Sequence, residues 1–283
     1  MPNDITITTP RGIRLSGSLT PGRTDAAVLF AHGFLDERSS RGRFTDLTAA
    51  YADAGYATLA FDFAGCGLSD DEVVFVSREV EDFNAASAFL SDAGYPRQAV
   101  HAHSLGSLVA LRANPPTVRA MILTGALTGP LDYPWGEIFS ASQMDELGHT
   151  GRMHVPDDGP TAREATIIAA DTLAAFSTIN QGQLLSAIRC PVLLVHGGQL
   201  IEGEEHQLLT HSRVGLPMLP AGSRLEVLRG ADHSLLDYIE VVARHGLEWL
   251  AEYLPLDPDA SRAPIRAHST SRSAAEANRL AFG

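Results

Sequence analysis

The feature that most constrains this chain is a series of short apolar runs at residues 26–31, 57–61, 98–102, 120–123, 191–195 and 225–228. A strand that is apolar on both sides of its pleat has no face for water, so it belongs in a parallel sheet covered by helices. The stretches 43–54, 80–93, 105–114 and 235–253 supply those helices, with apolar residues three and four positions apart. Their alternation with the runs predicts an α/β fold: a doubly wound, mostly parallel sheet with right-handed crossovers. Ahead of it, residues 5–8 and 13–19 alternate apolar with polar around Pro10-Arg11-Gly12, the pattern of an antiparallel hairpin or meander.

One interval breaks the rhythm. Between Thr124 and Ile188 no strand is expected, only Gly/Pro-rich pieces and helix-like runs such as 162–176. This reads as a lid inserted after the sixth strand. The expected division is therefore a core of residues 1–128 and 187–254, a lid of 129–186, and a Ser, Ala and Arg-rich tail of 255–283. That tail has little to pack, so it is read as mobile or docked on a neighbour, and a homodimer is one reading of it. A length of 283 residues accommodates one large core with such an insertion.

Composition removes whole classes of function. The 21 basic residues against 34 acidic ones leave a formal charge of -13, which repels phosphate backbones and anionic lipid. Nucleic acid and membrane surfaces are thus not the expected partners; a small molecule is. All the basic residues are arginines, so chemistry that needs a lysine amine is excluded: Schiff bases, Ser-Lys dyads, P-loops. Two cysteines, Cys66 and Cys190, make neither a disulfide framework nor a metal site. The start of the chain lacks a basic segment followed by an apolar one, and no stretch approaches the roughly 20 apolar residues of a membrane span. A cytoplasmic protein is expected.

The sharpest local signal is Ala102-His103-Ser104-Leu105-Gly106, between an expected strand and an expected helix. Small residues two before and two after a serine allow the sharp turn of a nucleophile elbow, which exposes the serine Oγ at the sheet's carboxyl edge. Ala102 stands where a glycine is usual, and the bland alternative is a helix-capping serine. Three other segments end strands at the same edge. His32-Gly33-Phe34 can aim a backbone N–H, so that the Phe34 and Leu105 amides form an oxyanion hole. The run from Asp62 to Ser69 is a Gly-punctuated turn that shapes the site, and Gly230-Ala231-Asp232-His233 brings a histidine to the edge.

On these residues, together with Cys190-Pro191 through His196-Gly197, the chain resembles the α/β-hydrolase fold over residues 12–254, in its serine-aminopeptidase-like and cinnamoyl (feruloyl) esterase-like branch. The resemblance implies Ser104 as nucleophile, His233 as general base and a lid after the sixth strand. It also implies an acid in the register His-Gly-x-x-Asp, where this chain has His196-Gly197-Gly198-Gln199-Leu200. Leucine cannot accept a hydrogen bond from the histidine. Glu202 is the first replacement considered and Asp132 the second; a Ser-His dyad or loss of catalysis are the others. The expected activity is cleavage of a carboxylic ester, or a thioester or amide, through an acyl-enzyme, with no metal or organic cofactor. A lid-gated natural-product or carbon–carbon bond hydrolase is the alternative within the fold, and a non-catalytic small-molecule-binding module the alternative outside catalysis.

The remaining polar residues are expected to be ordinary. His32 and His103 buttress turns, and His101 packs in the core. His206, His211 and the acids 202–205 form a solvated polar helix face. Arg38, Arg41 and Arg43 form a solvated arginine face, with contact to a carboxylate substrate as the minority reading. Trp135, Phe139 and Met144 are lid core, with a minority reading as the wall of an acyl or aryl pocket.

Overall fold

The computed structural model describes residues 2–257; the tail reading for 258–283 lies outside the described residues. In chain order the elements are β1 (Asn3–Thr8), β2 (Arg14–Thr20), β3 (Ala26–Ala31), α1 (Arg43–Ala54), β4 (Ala57–Phe61), α2 (Val76–Asp92), β5 (Arg97–His103), α3 (Leu105–Ala113) and β6 (Val118–Thr124). There follow α4 (Trp135–Ile138), α5 (Ala141–Thr150), β7 (Arg152–Pro156), β8 (Ala165–Ala169), α6 (Ala170–Ser177) and α7 (Gln181–Ser186). The chain then returns through β9 (Val192–Gly197), the short pair β10 (Leu200–Ile201) and β11 (Glu204–Glu205), α8 (Gln207–Gly215), β12 (Arg224–Leu228) and α9 (Ile239–Tyr253).

Eight strands form one sheet in the order β1-β2-β4-β3-β5-β6-β9-β12. β2 pairs antiparallel with both neighbours and the rest of the sheet is parallel. Alternate residues of the buried strands feed two separate cores. Leu29, Leu59, Phe61 and Val100 meet Phe83 and Leu90 of α2 and Leu108 of α3 on one face. Val28, Phe30 and Ala99 meet Phe44, Leu47 and Tyr51 of α1 and Trp249 and Leu250 of α9 on the other. Each such side chain, when fully buried, contributes about 1.5–3 kcal/mol. The strand order reverses at β3, between β4 and β5, so the crevice of this sheet opens where β3 and β5 end, at Gly33 and Ser104. No helix among the described residues is long and apolar enough to cross a membrane.

The interval between β6 and β9 does contain strands, contrary to expectation. β7 and β8 pair antiparallel, Arg152 opposite Ala169. The helix-like run 162–176 divides into β8 and α6, because the first half alternates buried and half-buried positions while the second buries one helical stripe. This region has its own core of Phe139, Met153, Ile168 and Leu173 against Cys66 and Val74. It is stitched to the turn after β4: Val74 N donates to Ile167 O at 2.8 Å, and Arg163 Nε donates to Gly67 O at 3.1 Å.

Candidate active site

Ser104 links β5 to α3 with φ 51° and ψ -121°, a region that non-glycine residues occupy only under constraint, at a cost of about 1–3 kcal/mol. The constraint is visible in its neighbours. Ser104 N donates to Thr124 O at 3.0 Å, and a Cβ on Gly106 would lie 2.4 Å from the carbonyl oxygens of both Ala31 and His32. Only glycine at 106 lets α3 start this close to the end of β3. The turn leaves Ser104 half-buried, with its side chain at the carboxyl edge.

His233 arrives from the loop after β12. Asp232 Oδ1 accepts from Ser234 N at 2.9 Å, Ser234 Oγ at 2.7 Å and Leu235 N at 3.1 Å, which fixes the loop from within. Gln199 N donates to Ala231 O at 2.9 Å, tying the segment after β9 to the same loop. His233 Nε2 lies 3.2 Å from Ser104 Oγ. With Nε2 accepting the serine hydroxyl, the ring proton falls on Nδ1. Burial, then the nearby His206 and Arg43, lower the His233 pKa to about 4.

The turn after β3 is held by a neutral imidazole. His32 Nδ1 lies 2.9 Å from Gly33 O and its Nε2 accepts from Phe63 N at 3.1 Å. Gly33 sits directly against Ser104, a Cβ there being 3.4 Å from the Ser104 Cβ. The Phe34 amide has no intramolecular acceptor among the described residues, and the Leu105 amide heads α3, where no intrahelical acceptor exists. Leu105 follows Ser104 directly, and Phe34 follows the Gly33 that lies against it.

The far side of His233 is different. Among the described residues no side chain or carbonyl hydrogen-bonds its Nδ1. Glu202, expected as the acid, sits exposed at the turn between β10 and β11 with φ 53° and has no hydrogen bond to His233. The pairing of β10 with β11 is what holds it there. Asp132, the second replacement, is exposed ahead of α4 and also has none. Leu200 is exposed on β10. What does face His233 is Gly125, where a Cβ would lie 2.6 Å from Cε1 and 2.8 Å from Nδ1.

Other histidines crowd the site. His103 Nδ1 pairs with Thr124 Oγ1 at 3.1 Å, and its ring centroid lies 5.1 Å from that of His233. His196 Nε2 pairs with Ser212 Oγ at 2.9 Å, and burial takes its pKa to about 3. His101 meets the Tyr51 hydroxyl at 2.9 Å inside the core, and burial likewise takes it to about 3. His206 is not on a solvated helix face: residues 204–205 form a strand, and the His206 ring stacks on His233 at 5.7 Å and 9°. Nor is Arg43 solvated. It is buried, paired with Asp36 at 3.3 Å, and donates to Ser234 O at 3.3 Å. Arg38 is half-buried against Asp62, and Arg41 alone of the three is exposed. Sequence reasoning set His206 on a solvated face and passed over Gly125, since nothing local marks the place of either beside His233.

Of the expected pocket residues, Trp135 is half-buried and meets the Phe34 ring at 6.1 Å and the Phe176 ring at 5.2 Å. Phe139 is buried in the core of the insertion, and Met144 packs on that core. Among the described residues no group of three His, Cys, Asp or Glu side chains is arranged to hold a metal ion.

A strand-turn-serine elbow, a histidine from the last loop and two unengaged amides are brought to one end of the sheet, and comparison with known proteins places the fold that carries them. The model of the alpha/beta hydrolase family matches residues 28–245. The chain belongs to the alpha/beta hydrolase family and so stands among hydrolases. No curated protein sequence matches it. Among solved structures it is similar to the esterase domain of a Rhodothermus marinus protein, with TM-score 0.64 and 23% identity over 89% of this chain and 99% of that one. It is also similar to the alpha/beta hydrolase GrgF from Penicillium sp. sh18, with TM-score 0.69 and 17% identity over 89% and 99%. A Pyrococcus furiosus esterase gives TM-score 0.64 and 20% identity over 89% and 93%. At these identities the likeness is one of fold.

Proposed function

We propose that the protein hydrolyses a carboxylic ester through an acyl-enzyme formed on Ser104, using a Ser104–His233 dyad. The single observation that carries this reading is the 3.2 Å contact between Ser104 Oγ and His233 Nε2, with Ser104 held in its strained turn. His233 takes the hydroxyl proton as Oγ attacks the carbonyl carbon, and the Phe34 and Leu105 amides donate to the developing oxyanion. The protonated histidine then gives its proton to the leaving alkoxide, which departs as the alcohol. Water, deprotonated by the same imidazole, attacks the acyl carbon and releases the acid, returning the proton to Ser104. Neither Glu202 nor Asp132 is given a role in these steps.

The acyl or aryl part of the ester is placed along Phe34 and Trp135, whose rings meet at 6.1 Å. The fold also serves natural-product and carbon–carbon bond hydrolases, and these would use the same serine and histidine. For location we propose the cytoplasm, on the two buried unpaired thiols of Cys66 and Cys190. A fluorophosphonate probe and a chromogenic ester test the reading. The expected result is covalent capture at Ser104 and a burst of alcohol equal to the enzyme present, both abolished in Ser104→Ala. A folded protein that is not captured at Ser104 is a binding module instead.

A further inference from the structure

We propose that His206 is a positioning residue for His233, supplying through its ring face the orientation that a carboxylate would otherwise supply. The inference rests on the dyad reading above and goes beyond it. A general base must present one lone pair to the nucleophile, and a ring bonded only through Nε2 is free to swing about that bond. Here Nδ1 has no acceptor among the described residues, so contacts on the ring faces must set its plane. Among the described residues Gly125 bounds one edge of the ring and two histidines face it. Gly125 lies against the Cε1–Nδ1 edge. His103 is tilted at 37°, too oblique to define the plane. His206 is parallel within 9° at 5.7 Å, an offset stack.

His206 is itself held. It is the N-cap of α8, and its Nδ1 accepts from Leu208 N at 3.2 Å. That bond requires an unprotonated Nδ1, so the ring carries its proton on Nε2 and is neutral; partial burial also lowers its pKa. Neutrality matters because His233 becomes cationic during attack. A protonated His206 repels that cation, which is how it lowers the His233 pKa, whereas the neutral ring adds no such repulsion. The other charged groups near His233 are Arg43, buried behind the loop, and Asp232, whose Oδ1 is turned into its own loop. Neither lies flat on the ring.

Two variants separate the stack from the helix cap. His206→Asn keeps an acceptor for Leu208 N–H and removes the ring face; His206→Phe keeps the face and removes the acceptor. The rate of fluorophosphonate capture at Ser104 and the separate kcat and KM for p-nitrophenyl acetate are measured for both, with Tm as a check on folding. For His206→Asn, capture rate and kcat are expected to fall about 10- to 100-fold with KM little changed. His206→Phe is expected to stay within about threefold of the parent although its Tm is the lower of the two. A purely structural role predicts the opposite order. Parent-like rates in His206→Asn, or equal slowing in both variants, overturn the role of His206. If the parent is not captured at Ser104, the serine reading is overturned and this role with it, so the two failures are distinct.

Discussion

The two nitrogens of His233 face unlike halves of the site. On the Nε2 side stand a serine in a strained turn, 3.2 Å away, and a glycine that lets strand and helix meet. On the Nδ1 side Gly125 lies against the ring and no carboxylate among the described residues bonds it, while His233 also borders a cavity of about 330 Å³ lined by His196, Gln199, His206 and Asp232. The contrast separates two tasks that a triad performs together. Taking a proton depends on Nε2; holding the imidazole and stabilising its charge depend on Nδ1. In a serine protease, changing the triad acid to its amide lowers kcat about 10⁴-fold, which sets the scale of what the second task can be worth.

The largest test disturbs the side that has no carboxylate. Gly125→Ala places a methyl group where the His233 ring now lies, at a residue with φ 53°, so the imidazole must move. A displacement of about 1 Å predicts a loss of about 100-fold in kcat/KM. It would be checked by steady-state kinetics beside an unchanged circular dichroism spectrum; parent-like turnover would show that the pairing with Ser104 is not what drives reaction.

A second test fills the cavity. Gln199→Glu puts a carboxylate on the wall that His233 shares. An anion there stabilises the imidazolium, so kcat is expected to rise about 10-fold. The pH profile sharpens the same point. In the proposed mechanism neutral His233 is the active form, and burial together with His206 and Arg43 lowers its pKa to about 4. The acid limb of kcat/KM should therefore lie near pH 4, well below the ordinary histidine value of about 6.5. In Gln199→Glu that limb should move to higher pH, and a limb that stays in place would show that the new carboxylate does not reach the ring.

The smallest effects are expected where sequence pointed most strongly to an acid. Glu202→Gln and Asp132→Asn should each change kcat by less than about twofold, because neither carboxylate hydrogen-bonds His233. A loss of about 10³-fold in either would restore a triad and remove the contrast on which the other predictions stand.

Much of this was legible beforehand, for definite reasons. The bounds of β3, β4 and α1 agree with the apolar runs 26–31 and 57–61 and with the amphipathic stretch 43–54, because burial on two faces or along one stripe leaves an unambiguous pattern. Ser104 was marked by the small residues its turn demands. The strands of the insertion were not legible: β7 mixes Arg152, His154 and Pro156 with its apolar residues, and β8 runs into α6 without a break. Glu202-Gly203 has the residue-then-glycine habit of a two-residue hairpin turn, a signal that the helical reading of residues 202–205 overlooked. His206 and Gly125 had no local signal, since their importance arises only from what the fold sets beside His233.

Arg43 has a consequence for how a substrate enters. Its guanidinium, shielded from solvent, clamps the start of α1 to the Ser234 carbonyl next to His233 and to Asp36 in the loop after β3. The rim that carries Phe34 and the rim that carries the imidazole are thereby riveted into a single frame, unable to part. An ester of the kind proposed above would therefore have to enter on the Trp135 side of Phe34 rather than between those two rims.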